Sequence, residues 1–211
     1  MNGSNKVRNI TIMGMFSAII ILLAFTPLGF IPLPFMRMTT IHIPVIIGSL
    51  FLGPKYGAAL GFLFGLCSLY INTTAPGVTS FVFSPFIPVL GTEQGSPFAL
   101  LVVFIPRILV GVVPWFVNAG LEKVFKKNYI SYAISGIAGS MTNTLFVMHG
   151  IFLFFREPWG AARPEPVYNV YPIILSIIAI NGIPEAIGAG ILVSAIGTAL
   201  AVVLKRAIKN G

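Results

Sequence analysis

The sequence contains no aspartate and a single cysteine, and only 9% of its 211 residues are charged. Each shortage removes a class of function. There is no phosphate-binding loop, no His-x-x-x-His or cysteine pair for a metal, and no Gly-x-Ser-x-Gly elbow, so ATP hydrolysis, zinc chemistry and serine-nucleophile catalysis have no pattern to rest on. Cys67, alone inside an apolar run, supports neither a disulfide framework nor a thiolate metal site and reads as a small packing residue. An average soluble domain carries roughly 25% charged residues, and a water-facing surface cannot be built from so few.

Apolar residues make up the balance: 56% of the chain is hydrophobic, with a mean hydropathy of +0.96. The apolar runs are too continuous for the alternating strands of a barrel, so the chain reads as an all-α membrane bundle. No hydrophilic stretch is longer than a loop, which leaves one membrane domain over 1–211. The net charge of +8 does not point to nucleic acid, because the basic residues are dispersed at the ends of apolar runs. Lys6 and Arg8 precede an apolar run that lacks a small-x-small cleavage site, so that run reads as the first span and not as a signal peptide.

Six transmembrane helices are predicted, over 10–30, 40–53, 55–72, 97–122, 129–155 and 171–204. The second is too short for the ~30 Å hydrocarbon layer and must pack among its neighbours or thin the bilayer. Six spans put both termini on one side. Lys6, Arg8, Lys55, Lys123, Lys126, Lys127, Lys205, Arg206 and Lys209 flank the spans on that side, against Arg37, Arg156 and Arg163 on the other. The positive-inside rule therefore predicts cytoplasmic termini and three outer loops, 31–39, 73–96 and 156–170. The first two are rich in proline, aromatics and hydroxyls, and segments this apolar are expected to fold back onto the helices.

Ionisable side chains within a span are costly and by default mark function. Arg107 follows Pro106 in the fourth span, and Glu185 follows Pro184 in the sixth. Each proline frees a carbonyl four residues upstream, which depth tolerates only where a partner or cavity satisfies it. Counted from the outer ends, Arg107 and Asn181 both lie roughly 15 Å deep and Asn143, on the antiparallel fifth span, roughly 18 Å deep. Glu185 is one turn below Asn181 on the same face. Four polar groups thus converge near mid-membrane, either as a site for a small polar ligand or as an Arg107–Glu185 ion pair with asparagines bridging helices. A guanidinium fork suits a carboxylate, and the amides and Glu185 suit hydroxyl or amide groups. Asn72, His42, His149 and Trp115 are further candidates nearer the outside. In the first span, Gly14 and Ala18 set small residues at i and i+4, where another helix can come close.

These residues carry a resemblance. Thr40-Ile-His-Ile-Pro-Val-Ile-Ile-Gly48, Gly53-Pro-Lys-Tyr-Gly57, Thr79-Ser-Phe-Val-Phe-Ser-Pro85, Pro106-Arg107, Thr142-Asn-Thr144 and Asn181-Gly-Ile-Pro-Glu185 together resemble the substrate-binding S components of energy-coupling factor (ECF) vitamin transporters, over essentially the whole chain. The resemblance implies a multi-pass bacterial cell-membrane protein that captures a vitamin from outside. It also implies partners, namely a transmembrane coupling protein of the EcfT type and two ATPase subunits that hydrolyse the ATP, with no cofactor of the chain's own. The first helix is the usual docking element, through Ala-x-x-x-Ala, where this chain has Gly14 in place of the first alanine. Within the family the pattern is most similar to the pantothenate branch; riboflavin, a hydroxymethylpyrimidine and pyridoxine are the alternative vitamins, and a passive channel or an enzyme using Glu185 as a base the alternative classes.

Overall fold

The computed structural model describes the backbone of residues 3–32, 37–125, 128–163 and 169–210, and the side chains within 6–29, 39–125, 128–163 and 169–204. Of the residues weighed for orientation, Lys126 and Lys127 fall outside this set, as do the side chains of Arg37, Lys205, Arg206 and Lys209. The helices are α1 (Gly3–Ala24), α2 (His42–Leu52), α3 (Pro54–Thr74), α4 (Phe98–Val110), α5 (Val113–Leu121), α6 (Asn128–Ala161), α7 (Val170–Ile177) and α8 (Ile183–Asn210). An antiparallel pair of three-residue strands, β1 (Phe30–Pro32) and β2 (Arg37–Thr39), precedes α2 with Phe30 opposite Thr39.

Among the described residues, five helical stretches are long and apolar enough to cross a membrane: Lys6–Ala24, Pro54–Thr74, Phe98–Leu121, Asn128–Ala161 and Val170–Leu204. The bundle turns large apolar side chains outward all round, among them Leu22, Phe62, Ile105, Phe146, Ile187 and Ile191, which water would not tolerate and lipid does. The protein is a membrane protein.

The second predicted span is α2, eleven residues long, hence about 16 Å, or half the hydrocarbon thickness. His42 through Ser49 are all buried, so the short helix is enclosed by its neighbours and its first residue starts inside the bundle. The first span is displaced from 10–30: α1 ends at Ala24, because Thr26-Pro27-Leu28-Gly29 turns the chain, with Thr26 and Gly29 paired through their backbones. The fourth span breaks at Gly111–Val112, ahead of Pro114, and Ser49 Oγ donates to the Gly111 carbonyl at 2.6 Å across the break. Within α6, Phe155 leaves helical geometry (φ −137°) where the span was predicted to end.

Glycines set the closest contact between spans. A Cβ at Gly57 would strike the Gly111 carbonyl, one at Gly61 the Arg107 carbonyl, and one at Gly65 the Phe104 ring. This i, i+4, i+8 stripe presses α3 onto α4 and fixes the backbone of Arg107. The segment 75–97 folds back as expected for the second outer loop: Phe81 and Val82, in a 3₁₀ turn, are buried, and Phe81 meets Phe155 edge-on at 6.0 Å.

Candidate ligand-binding site

Two apolar clusters fill the bundle. One gathers Phe16, Ile46, Leu60, Phe64, Val110, Tyr132, Ala189 and Val193; the other gathers Phe81, Val102, Val147, Met148, Ile151, Ile174 and Ile177. Three helical stretches pass from one to the other, and each does so at a polar residue. In α4, Arg107 lies between Val102 and Val110; in α6, Asn143 lies between Tyr132 and Val147; from α7 into α8, Asn181 and Glu185 lie between Ile177 and Ala189. The four residues therefore occupy one layer between the clusters.

The two prolines are accommodated differently. Pro106 has no N–H for the Val102 carbonyl, and Arg107 Nη1 donates to that oxygen at 2.9 Å. Pro184 has none for Ile180; the helix widens into a π-turn over Ile178–Gly182, and the Ile183 N–H reaches back to Ile178. Asn181 sits in this turn. Gly182 lets it approach α6 closely, where a Cβ would meet Thr144 Cγ2 at 2.8 Å beside Asn143.

Arg107 is 6% exposed, so its charge does not face lipid. Its guanidinium lies over the rings of Phe83 (5.1 Å) and Phe64 (5.6 Å), a cation–π setting that holds the fork in place. Glu185 finds a partner other than the one weighed from sequence: His42 Nδ1 lies 3.5 Å from its Oε1, an electrostatic contact without hydrogen-bond geometry. The backbone of Thr39, at the end of β2, borders both side chains.

Several polar atoms of this layer have no hydrogen-bond partner in the protein. Both ring nitrogens of His42, Nε of Arg107, Oδ1 of Asn143, Nδ2 of Asn181 and Oε1 of Glu185 are buried without a hydrogen bond. Leaving one such group dry costs on the order of 1–3 kcal/mol. Five side chains that share this state in one layer offer both donors and acceptors, a set that a polar molecule can satisfy and a hydrocarbon cannot.

The other candidates stand elsewhere. Asn72 donates to the Ser68 carbonyl (2.8 Å) and accepts from Ser80 Oγ (2.8 Å), which ties α3 to the folded-back segment. His149 is exposed and bonded to the Leu145 carbonyl, and Trp115 meets Phe116 edge-on. Gly14 and Ala18 are exposed on the outer face of α1, and nothing lies within 4 Å of a Cβ built on Gly14. Phe64, Phe83 and Thr39 join the site without having been singled out from sequence. The Pro-flanked aromatic segment around Phe83 carried the strongest signal among them.

A family model described as "ECF transporter, substrate-specific component" matches residues 8–197. The chain belongs to this family. It is 39% identical to the pantothenic acid transporter PanT of Lactococcus lactis subsp. cremoris, over 93% of this chain and 95% of that one. It is 30% identical to the pantothenate transporter PanT of Leuconostoc mesenteroides subsp. mesenteroides, over 97% of each. As an ECF substrate-specific component the chain serves transport and is not an enzyme. No group of three or more His, Cys, Asp or Glu that could hold a metal occurs among the described residues.

Proposed function

We propose that the chain is the pantothenate-binding subunit of an ATP-driven ECF uptake transporter in the bacterial plasma membrane. The observation that carries this reading is the layer of unpartnered groups on His42, Arg107, Asn143, Asn181 and Glu185. Pantothenate has a carboxylate, hydroxyls and an amide. The Arg107 fork suits the carboxylate, and the amides and Glu185 suit the hydroxyl and amide groups. The names of two relatives, each aligned along almost its whole length, point to the same ligand.

On this reading the ligand enters from the side opposite the termini, which the Lys/Arg asymmetry sets in the cytoplasm. The exposed Gly14 and Ala18 face of α1 is where a coupling protein of the EcfT type would dock, and its two ATPase partners would supply the energy. Arg107 is the ligand's counter-ion, and His42 holds Glu185 in place. Asn72 acts indirectly, by holding the segment that delivers Phe83 to the guanidinium.

A thermal-shift panel on detergent-purified protein tests the proposal, because a molecule that binds only the folded state raises apparent stability by mass action. Pantothenate is expected to raise the midpoint, and riboflavin, hydroxymethylpyrimidine and pyridoxine to leave it unchanged. A shift with one of the others alone would reassign the vitamin; ligand-independent conductance in planar bilayers would favour a passive pore.

A further inference from the structure

Among the described residues, the charge of the central layer is set by three side chains: the guanidinium of Arg107, the carboxylate of Glu185 and the imidazole of His42. The other described acids, Glu93, Glu122 and Glu157, are exposed. Helices α1, α3, α4, α5, α6 and α8 pack on α2, and α6 and the π-turn pack on α8. Besides Arg107, the buried ionisable groups on these elements are Cys67 and Tyr132, both inside the first apolar cluster; the remaining described ones are exposed or half-buried.

With the imidazole neutral, the guanidinium and the carboxylate cancel, the state that burial away from water favours. They cancel without forming an ion pair. Arg107 is engaged by the Val102 carbonyl and the Phe64 and Phe83 rings, while Glu185 lies against His42. An anion that takes the guanidinium as its counter-ion therefore leaves the charge of Glu185 without an offset, and one proton removes that excess.

The pair has a place for such a proton. His42 Nδ1 and Glu185 Oε1 are 3.5 Å apart and neither has a hydrogen bond. A shift of less than about 1 Å would close them to the roughly 2.7–2.9 Å of a charge-assisted bond once a proton lies between them. An imidazolium beside a carboxylate is neutral as a pair, so the layer with its anion is neutral again.

We propose that an acid bound at Arg107 brings one proton with it into the layer near neutral pH, taken up by the His42–Glu185 pair. The proton comes from water, forms an N–H or O–H bond on the pair, and leaves when the ligand leaves. The inference rests on the reading of pantothenate as ligand, since a vitamin without a negative charge would draw no proton.

Titration calorimetry with pantothenate in PIPES and in ACES, buffers of unlike ionisation enthalpy, counts the protons. Between about pH 6 and about pH 7.5 the uptake is expected to reach at least about half a proton per ligand, and the affinity to weaken as pH rises, by up to about tenfold per unit. In Glu185→Gln the uptake should vanish. Should that variant fail to fold or to bind, Glu185→Ala is read in the same way. Undiminished uptake without the carboxylate would overturn the proposal, because the proton would then ride on the ligand. Equal enthalpies in both buffers throughout, with pantothenate bound, would overturn it and leave the ligand reading intact; no pantothenate heat at all would remove both.

Discussion

Arg107 donates to the carbonyl of Val102, the acceptor that Pro106 leaves without a backbone partner, at 2.9 Å. The proline and the arginine beside it therefore form one device, in which a defect within the Phe98–Leu121 span is filled by the side chain that follows it. One donor of the guanidinium is used in this way, while Nε has no protein partner. The residue thus has a structural role, and the proposed role as counter-ion to a ligand can be separated from it.

Arg107→Ala is expected to abolish pantothenate binding and to lower stability by about 1–3 kcal/mol, the cost of leaving the Val102 carbonyl unsatisfied. Adding Pro106→Ala restores a backbone N–H for that carbonyl. Stability should return in the double variant while binding stays lost, as read by thermal unfolding and ligand titration on the same preparations. Arg107→Lys should recover only part of the affinity, because an ammonium lacks the planar fork.

The His42–Glu185 contact predicts coupling. In a double-mutant cycle of His42→Ala and Glu185→Gln, the effects on unfolding in detergent should be non-additive by about 0.5–3 kcal/mol. Additive effects would mean that the two side chains, though 3.5 Å apart, act independently.

Glycines on two helices should respond in opposite ways. Gly61→Leu forces a side chain into the Arg107 carbonyl, so the variant is expected to lose folded protein in size-exclusion chromatography. Gly14→Leu meets open space and should fold and bind pantothenate with unchanged affinity, yet fail in uptake by the assembled transporter because close approach at α1 is blocked.

Asn72 and Asn143 make a further contrast. The Asn72 amide is satisfied on both sides by protein, whereas Asn143 Oδ1 is not. Asn143→Ala is expected to weaken binding by roughly tenfold or more, the loss of about 1.4 kcal/mol. Asn72→Ala should lower the thermal midpoint and change affinity less.

Much of this layout was legible in the sequence because it rests on local periodicity and length. Hydropathy located the long helices, and the short apolar run at 40–53 implied a helix that either packs among its neighbours or thins the bilayer; α2 is enclosed. Counting residues from the span ends put Arg107, Asn143, Asn181 and Glu185 at one level, and the structure has all four in the layer between the two apolar clusters. Pairings across the bundle were not legible. That Glu185 faces His42 and not Arg107 depends on how deep α2 begins, which follows from the turn at Pro27 and the strand pair, not from any pattern in α2. The fit of Gly57, Gly61 and Gly65 to α4 was not read from the sequence, since a four-residue spacing of glycines does not name the helix it meets. Pro184 announced a disturbed helix without distinguishing a kink from the π-turn that forms.

Isothermal titration of the purified chain with pantothenate tests the central claim most directly, since it asks whether the unpartnered layer is a site for that molecule. The account predicts saturable one-to-one binding that vanishes in the Pro106→Ala, Arg107→Ala double variant while riboflavin gives no heat with either protein. Saturable binding that survives unchanged in the double variant, or no binding of pantothenate by the native chain, would contradict it.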